Sequence, residues 1–403
     1  MNEKVVNAAL LGLGTVGTGV YKVIKSQEQE MTAKLGCQVK ITKILVRNLE
    51  KASGKVDDPS VLTTDWADIE GDPSIDIVIE LIGGIEPART YILAALKAGK
   101  NVVTANKDLI AVHGKEILET ARAAQKDFLF EAAVAGGIPI ISPLKNSLEA
   151  NHVTEVMGIV NGTTNFILTK MVKEGAPFSK VLKLAQEKGY AEADPTADVE
   201  GIDAGRKICI LADLAFGHQV DPAQVPMEGI TGIDLKDVEI AGRHGYRIKL
   251  LGRCLRLEGG RRTAYVAPHL ISEENPMSDV NDVFNAVVVR GNATGEVMFY
   301  GKGAGELPTA SACVADVIEC LQEERHRPEI GWSADTGGFA SPLTLKNRWY
   351  FRVGTDTLPE ALHSAKVLEQ GTETAFITPP ITGTDAEWLA AYLPTLAKMR
   401  VLD

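Results

Sequence analysis

A chain of 403 residues outgrows a single hydrophobic core, and 45% hydrophobic with 24% charged residues is the balance of folded globular proteins, which excludes a disordered chain and predicts two or three domains. A formal net charge of -11 without a Lys/Arg-rich run excludes the basic face of a nucleic-acid binder and points to a small-molecule partner. The longest nearly apolar stretch, 132–141, is too short and Gly-rich to span a bilayer, the start has no leader pattern, and five scattered cysteines make no CxxC pair, so a cytoplasmic protein with reduced thiols and no membrane partner is expected.

The first 130 residues alternate strand and helix signals. "VVNAALLGLG" is an apolar run closed by glycines, 15–30 carries Val16, Val20, Val23 and Ile24 on one helical side, and "VKITKILVR" is rich in β-branched residues. "IDIVIELIGG" reads as a buried strand ending in a turn, "PARTYILAALKAGK" as a helix opened by Pro87 and closed by Gly99, and "NVVTAN" as a short strand. This order predicts a parallel sheet wound on both faces, an α/β Rossmann-type domain over 1–130.

G-x-G-x-x-G at Gly12, Gly14 and Gly17 falls between the first strand and its helix, where glycine permits a tight turn and lets the backbone approach a pyrophosphate. Gly12, Leu13, Gly14, Thr15, Val16 and Gly17 are therefore the expected dinucleotide turn. An NAD-selective fold would place an acid at the end of the second strand. Arg47 stands there instead and can pair with a 2′-phosphate, which favours NADP and leaves NAD possible; a solvated arginine at a strand end fits the same pattern. Lys107 follows the strand that should end beside the cofactor, although a surface lysine opening a helix would look the same.

From about residue 131 a second, α+β domain is expected, reaching to 307. "VTEVMGIV" and "VVVRGNATGEVMFYG" read as strands, 163–173, 179–188 and 198–216 as helices, and "YRIKLLGRCLRLEGGRRTAYVAPHLI" as a hairpin turning at Gly259 and Gly260. In "GYAEADPTADVEGIDAGRK", Asp203 and Lys207 lie four apart on one helical face. A surface ion pair has this spacing, but the following Cys209, Ile210, Leu211 and Leu214 predict a buried helix whose charged pair needs a purpose. A lysine can give a proton to a developing alkoxide, and Glu192, Asp194 and Asp198 could hold a substrate ammonium. Seven scattered histidines make no metal motif, GxSxG is absent, and Cys313 has the setting of a buried structural thiol.

"CVADVIECLQEE" reads as a helix, near 308–322, that rejoins the first domain, and "ERHRPEIGW" as a linker. In 348–403, "WYFRV", "LPEALHSAKVLEQ", "TAFITPPI" and a segment from Asp385 predict strand, helix, strand and helix, a short C-terminal module.

Six motifs in order, "GLGTVG", "VVTANK", "EAAVAGGIPII", "GIVNGTTNFIL", "GYAEADPTADVEGIDAGRK" and "GKGAGELPTASA", make the chain resemble the homoserine dehydrogenase family over about residues 5–345. The resemblance implies NAD(P)H-dependent interconversion of L-aspartate 4-semialdehyde and L-homoserine, on the route to threonine and methionine, by a homodimer whose second domain binds substrate and dimerises. It implies Lys207 as proton donor, Asp203 as its substrate-binding partner, Glu192 at the substrate amino group, Asp198 as a further substrate-side acid and Lys107 between cofactor and substrate. Gly189 and Gly303 match backbone that lines the nicotinamide region. A monovalent cation, with sodium expected, is implied at Glu131, Val134, Gly136 and Ile138, mostly through backbone carbonyls. Long family members carry a regulatory ACT domain; "YFRVGTDTLPEALHSA" lacks the glycine of its effector loop, so a degenerate ACT-like α/β module is expected. Two other readings stand beside this one: another NADP-linked oxidoreductase of a small polar substrate, and a nucleotide-bound sensor without turnover.

Overall fold

The structure, a computed structural model, describes residues 4–322, 332–333 and 337–402. It divides into one unit of 1–151, 213–221 and 301–335 and another of 152–212, 222–300 and 336–403.

The first unit is built on six parallel strands, β1 (Lys4–Leu11), β2 (Cys37–Leu45), β3 (Leu62–Thr63), β4 (Ile75–Glu80), β5 (Asn101–Thr104) and β6 (Phe128–Leu129), in the order β3-β2-β1-β4-β5-β6. Strand order reverses at β1, which pairs with β2 on one side and β4 on the other, and such a switch point opens a crevice at the strands' carboxyl ends. Ala8, Ala9, Leu10 and Leu11 are all fully buried, as an apolar strand covered on both faces must be. The helix Glu306–Cys320 returns to this unit and crosses the helix Thr15–Ser26 closely: a Cβ on Gly19 would stand 2.6 Å from the Glu306 carbonyl.

The second unit carries a ten-stranded sheet, formed by β7 (Val153–Ile159), β8 (Tyr246–Arg256), β9 (Arg262–Ser272), β10 (Phe284–Gly291), β11 (Gly295–Lys302), β12 (Lys346–Val353), β13 (Lys366–Gln370), β14 (Thr374–Ile377), β15 (Ile381–Thr382) and β16 (Thr395–Leu402). Its order is β11-β10-β7-β8-β9-β16-β12-β14-β13, with β15 beside β12. The expected hairpin is present: β8 and β9 pair antiparallel from Tyr246↔Ser272 to Arg256↔Arg262 around Gly259 and Gly260, both at positive φ. The helices Gly162–Glu174, Phe178–Glu187 and Ile202–Phe216 belong with this region, the last lying so close to β8 that a Cβ on Gly252 would meet Ile208 at 3.2 Å.

Three expectations change. The single helix over 198–216 is two, Thr196–Val199 and Ile202–Phe216, because Gly201 takes a φ of +79° that a helix cannot hold. Asp198 therefore sits inside a short first helix and does not cap the long one. "LPEALHSAKVLEQ" is not a helix but a 3-10 turn, Glu360–Leu362, followed by β13 on the edge of β14. Residues 348–403 continue the second unit's sheet, since β16 pairs parallel with β9 and antiparallel with β12. The proposed linker lies, except for Trp332, outside the described residues. Among the described residues no helix is long and apolar enough to cross a membrane, and all five cysteines are buried and in no disulfide.

Candidate active site

In the first unit the glycine turn does three separate jobs. Gly12, at φ +96°, donates its N–H to the Leu45 carbonyl at the end of β2, and a Cβ there would press on the Leu81 carbonyl at 2.9 Å. A Cβ on Gly17 would overlap the Gly12 carbonyl, so only glycine lets the helix start this near the strand. A Cβ on Gly14 would meet nothing within 4 Å: this residue faces open space at an N-cap with no side-chain cap. Thr15 and Val16 follow as the first helical residues, so the helix presents unsatisfied N–H groups, the arrangement that favours a phosphate.

A cleft of about 660 Å³ opens here, lined by Gly12, Leu13 and Gly14, by Arg47, Lys51 and Lys55 after β2, and by Leu81 and Ile82 after β4. Arg47 stands where the sequence placed it. Lys51 and Lys55 were missed, although "EKASGK" carries them four apart directly after the strand; Lys55 Nζ also donates to the Leu13 carbonyl at 2.9 Å. Lys107 opens the helix Lys107–Ala123 at the carboxyl end of β5, behind the N-cap Asn106.

Gly303 packs in the first unit against Gly136, where a Cβ would overlap the Gly303 carbonyl. The loop at Gly136 turns through positive φ at Ala135 and Gly136, with Val134 and Ile138 buried. Glu131 anchors it: one carboxylate oxygen accepts from Ile140 and Ile141 N–H at 2.7 and 2.8 Å, the other from Ser142 N–H at 2.6 Å. Burial pushes this carboxyl up against those hydrogen bonds, which pull it down. The loop's own backbone bonds run from Ala133 N–H to the Phe130 carbonyl, from Gly137 N–H to Lys302 and from Ile138 N–H to Ala135.

In the second unit the acidic stretch forms a hydrogen-bonded cluster. Lys207 Nζ donates to Asp203 Oδ2 at 2.6 Å and to the Val160 carbonyl at 2.8 Å. The two side chains are 13% and 11% exposed, so this is not a surface ion pair. Asn161 Nδ2 donates to the same Asp203 oxygen at 3.0 Å and to Asp198 Oδ1 at 2.7 Å, while its own Oδ1 caps the helix Gly162–Glu174 at Thr164 N–H. Burial raises the Asp198 carboxyl, the nearby Asp203 charge adds to the rise, and the Asn161 hydrogen bond opposes it.

Asp198, Asp203 and Lys207 are thus brought together by Asn161, which the sequence reading left unassigned. Its signal was the capping pattern of Asn161 before Thr164 at the head of an apolar helix. Glu192 stands on an exposed loop outside this hydrogen-bonded set. Gly189 lies at the start of the same loop with φ +73° and open space around it.

A homoserine dehydrogenase NAD-binding-domain profile matches residues 12–131, and a homoserine dehydrogenase profile matches 139–318. Over 323 residues the chain is 49% identical to a homoserine dehydrogenase of Bacillus subtilis (strain 168), covering 80% of this chain and 74% of that one. The crystal structure of a homoserine dehydrogenase from Thiobacillus denitrificans superposes with a TM-score of 0.91 at 38% identity, over 99% of both chains. A hyperthermophilic archaeal homoserine dehydrogenase in complex with NADPH is similar at a TM-score of 0.68 and 27% identity, over 80% of this chain and 99% of that one.

Proposed function

This chain belongs to the homoserine dehydrogenase family, and we propose how its residues divide the work of an NAD(P)-dependent oxidoreductase that interconverts L-homoserine and L-aspartate 4-semialdehyde. When bound, the nicotinamide supplies or accepts the hydride. Lys207 gives the proton to the carbonyl oxygen as it gains charge. The observation that carries this is its hydrogen bonding: an ammonium has three protons, and Asp203 and Val160 take two, which aims the remaining one.

Asp198 and Glu192 receive the substrate ammonium. An arriving cation would offset the Asp203 charge that acts on Asp198, which favours the charged form of Asp198. Lys107, at the carboxyl edge of β5, contributes positive charge between cofactor and substrate. Gly189 and Gly303 offer bare backbone to the same ligands.

NADP is the preferred cofactor in this reading, because Arg47, Lys51 and Lys55 together supply three positive charges to the lining of the cleft. A monovalent cation, sodium, fits the loop at Glu131, Val134, Gly136 and Ile138, a buried turn with positive φ at Ala135 and Gly136 whose carbonyl oxygens suit a hard cation. Glu131 would give its carbonyl only, its carboxylate being held by three N–H groups. The ion would add a fixed positive charge that ties the loop. We extend the reading to a cytoplasmic homodimer: the cysteines are buried and in no disulfide, and the edge strand β11 carries Tyr300 at 55% exposure.

Lys207→Ala tests the assignment. It should lower kcat about 100-fold or more while NADPH affinity, read by nicotinamide fluorescence, stays within about twofold. Turnover near the wild-type rate would remove Lys207 as the proton donor.

A further inference from the structure

Glu80 is a completely buried carboxylate whose hydrogen bonds come from neutral donors. Burying such a charge is costly unless it is fully hydrogen-bonded, so what it holds matters. One oxygen accepts from Ile82 N–H at 2.8 Å and Gly83 N–H at 3.2 Å; the other accepts from the Thr104 hydroxyl at 2.6 Å. Thr104 Oγ1 in turn accepts from Asn106 N–H at 3.0 Å. Asn106 closes the circuit: its Nδ2 donates to the Gly84 carbonyl at 2.6 Å, and its Oδ1 caps the Lys107 helix at Leu109 N–H, 3.2 Å away.

The segment held in this grip is 81–84, the turn after β4. Leu81 N–H still donates to the Leu11 carbonyl of β1 at 2.9 Å, but beyond it Gly83 and Gly84 both have positive φ, and Ile82 N–H, Gly83 N–H and the Gly84 carbonyl are held by these side chains. Leu81 and Ile82 line the nucleotide cleft, and the Leu81 carbonyl is the atom that a Cβ on Gly12 would meet at 2.9 Å. The same network fixes the first turn of the helix that begins with Lys107.

We propose that Glu80 and Asn106 are positioning residues for hydride transfer: they lock the turn after β4 and the Lys107 helix start into one piece, and so set where the nicotinamide half of the cofactor stands relative to Lys107. Neither needs to touch a ligand. The proposal rests on the cleft beside Gly12 and Gly14 being the cofactor site.

The test is steady-state kinetics of Glu80→Ala, Asn106→Ser and Asn106→Asp with NADPH and aspartate semialdehyde, together with the isotope effect from 4-deuterated NADPH. Ser and Asp both keep an oxygen that caps the helix, but an ionised Asp has no proton for Gly84 and the Ser hydroxyl ends one bond short of the amide nitrogen, so the capping contribution is held while the turn is released. All three variants should raise KM for NADPH and lower kcat, each about tenfold, enlarge the isotope effect, and leave KM for the semialdehyde within about twofold. Glu80→Gln, the neutral isostere, should recover most of the loss and stands in for Glu80→Ala if that variant does not fold.

Variants that lose thermal stability while keeping kcat, KM for NADPH and the isotope effect at wild-type values would overturn the proposal, leaving the network a merely structural one. Gly14→Phe separates the two readings. It should abolish NADPH binding by filling the cleft; binding that survives it overturns the cofactor site and this proposal with it, whereas binding lost there with Glu80 and Asn106 variants unchanged overturns the positioning role alone.

Discussion

Lys249 is a buried lysine of the second unit whose hydrogen-bond partners are neutral oxygens, with the Asp279 and Asp282 charges near it. It is 2% exposed and donates to the Val280 carbonyl at 2.5 Å and to Asn165 Oδ1 at 3.2 Å. Burial, aided by the nearby Arg247 charge, lowers its pKa from 10.5 to about 8. Between those values the unfolded chain holds a proton that the folded chain does not, so stability should rise with pH through this window and be flat, for this group, below it. Comparing denaturant midpoints of the wild type and Lys249→Met checks the sign: the difference should move in favour of the wild type from pH 7.5 to pH 10, within the window set by that shift. No movement, or movement the other way, would contradict it.

Arg47 makes a second prediction at this scale. Because Lys51 and Lys55 line the same cleft, Arg47→Ala alone should raise KM for NADP about tenfold and KM for NAD much less, while the triple alanine variant should abolish the preference. Equal effects on both cofactors would defeat the 2′-phosphate reading. The Asp203 and Lys207 pair could be read from its sequence because helical spacing fixes which side chains meet. Asn161 could not, since its partners lie 37 and 42 residues away and only tertiary packing brings them near.

At the scale of elements, the first strand, turn and helix follow from local rules, which is why the nucleotide half was legible. Gly17→Ala probes that unit of structure. The new methyl would overlap the Gly12 carbonyl, and neither backbone segment can give way, so we expect a loss of about 1–3 kcal/mol in stability and a marked loss of NADPH affinity. Unchanged denaturation and fluorescence titrations would show that the helix can slide. The segment at 358–370 misled for the opposite reason. Its Glu, Ala, Leu and Lys content favours a helix locally, but backbone pairing with β14 and burial of Leu368 give more than propensity can. The helix expected from Asp385 is Gly383–Tyr392; Leu393 and Pro394 end it, and the strand β16 that follows had no expectation of its own.

For the molecule as a whole, β16 is the piece that joins the second unit's sheet to residues once expected to stand apart. Arg400, on β16, lies between two rings, its guanidinium carbon 4.5 Å from the centres of both Tyr265 on β9 and Trp349 on β12. Arg400→Ala should cost about 2 kcal/mol or more and lower hydrogen-exchange protection in β12 and β14 more than in β8. Uniform loss of protection would show that the sandwich carries no special share of the joint.

The same topology has a consequence for the newborn chain. β9 must wait for its parallel neighbour until roughly 120 more residues have been made, on the order of ten seconds at ordinary translation speeds. Throughout that interval the stretch from His269 to Ile271 lacks its partner on that side, while Val266 can already pair with 226–228. Ribosome-associated chaperones should therefore find their most persistent target here, and a slowed ribosome downstream of β9 should lower the yield of soluble enzyme.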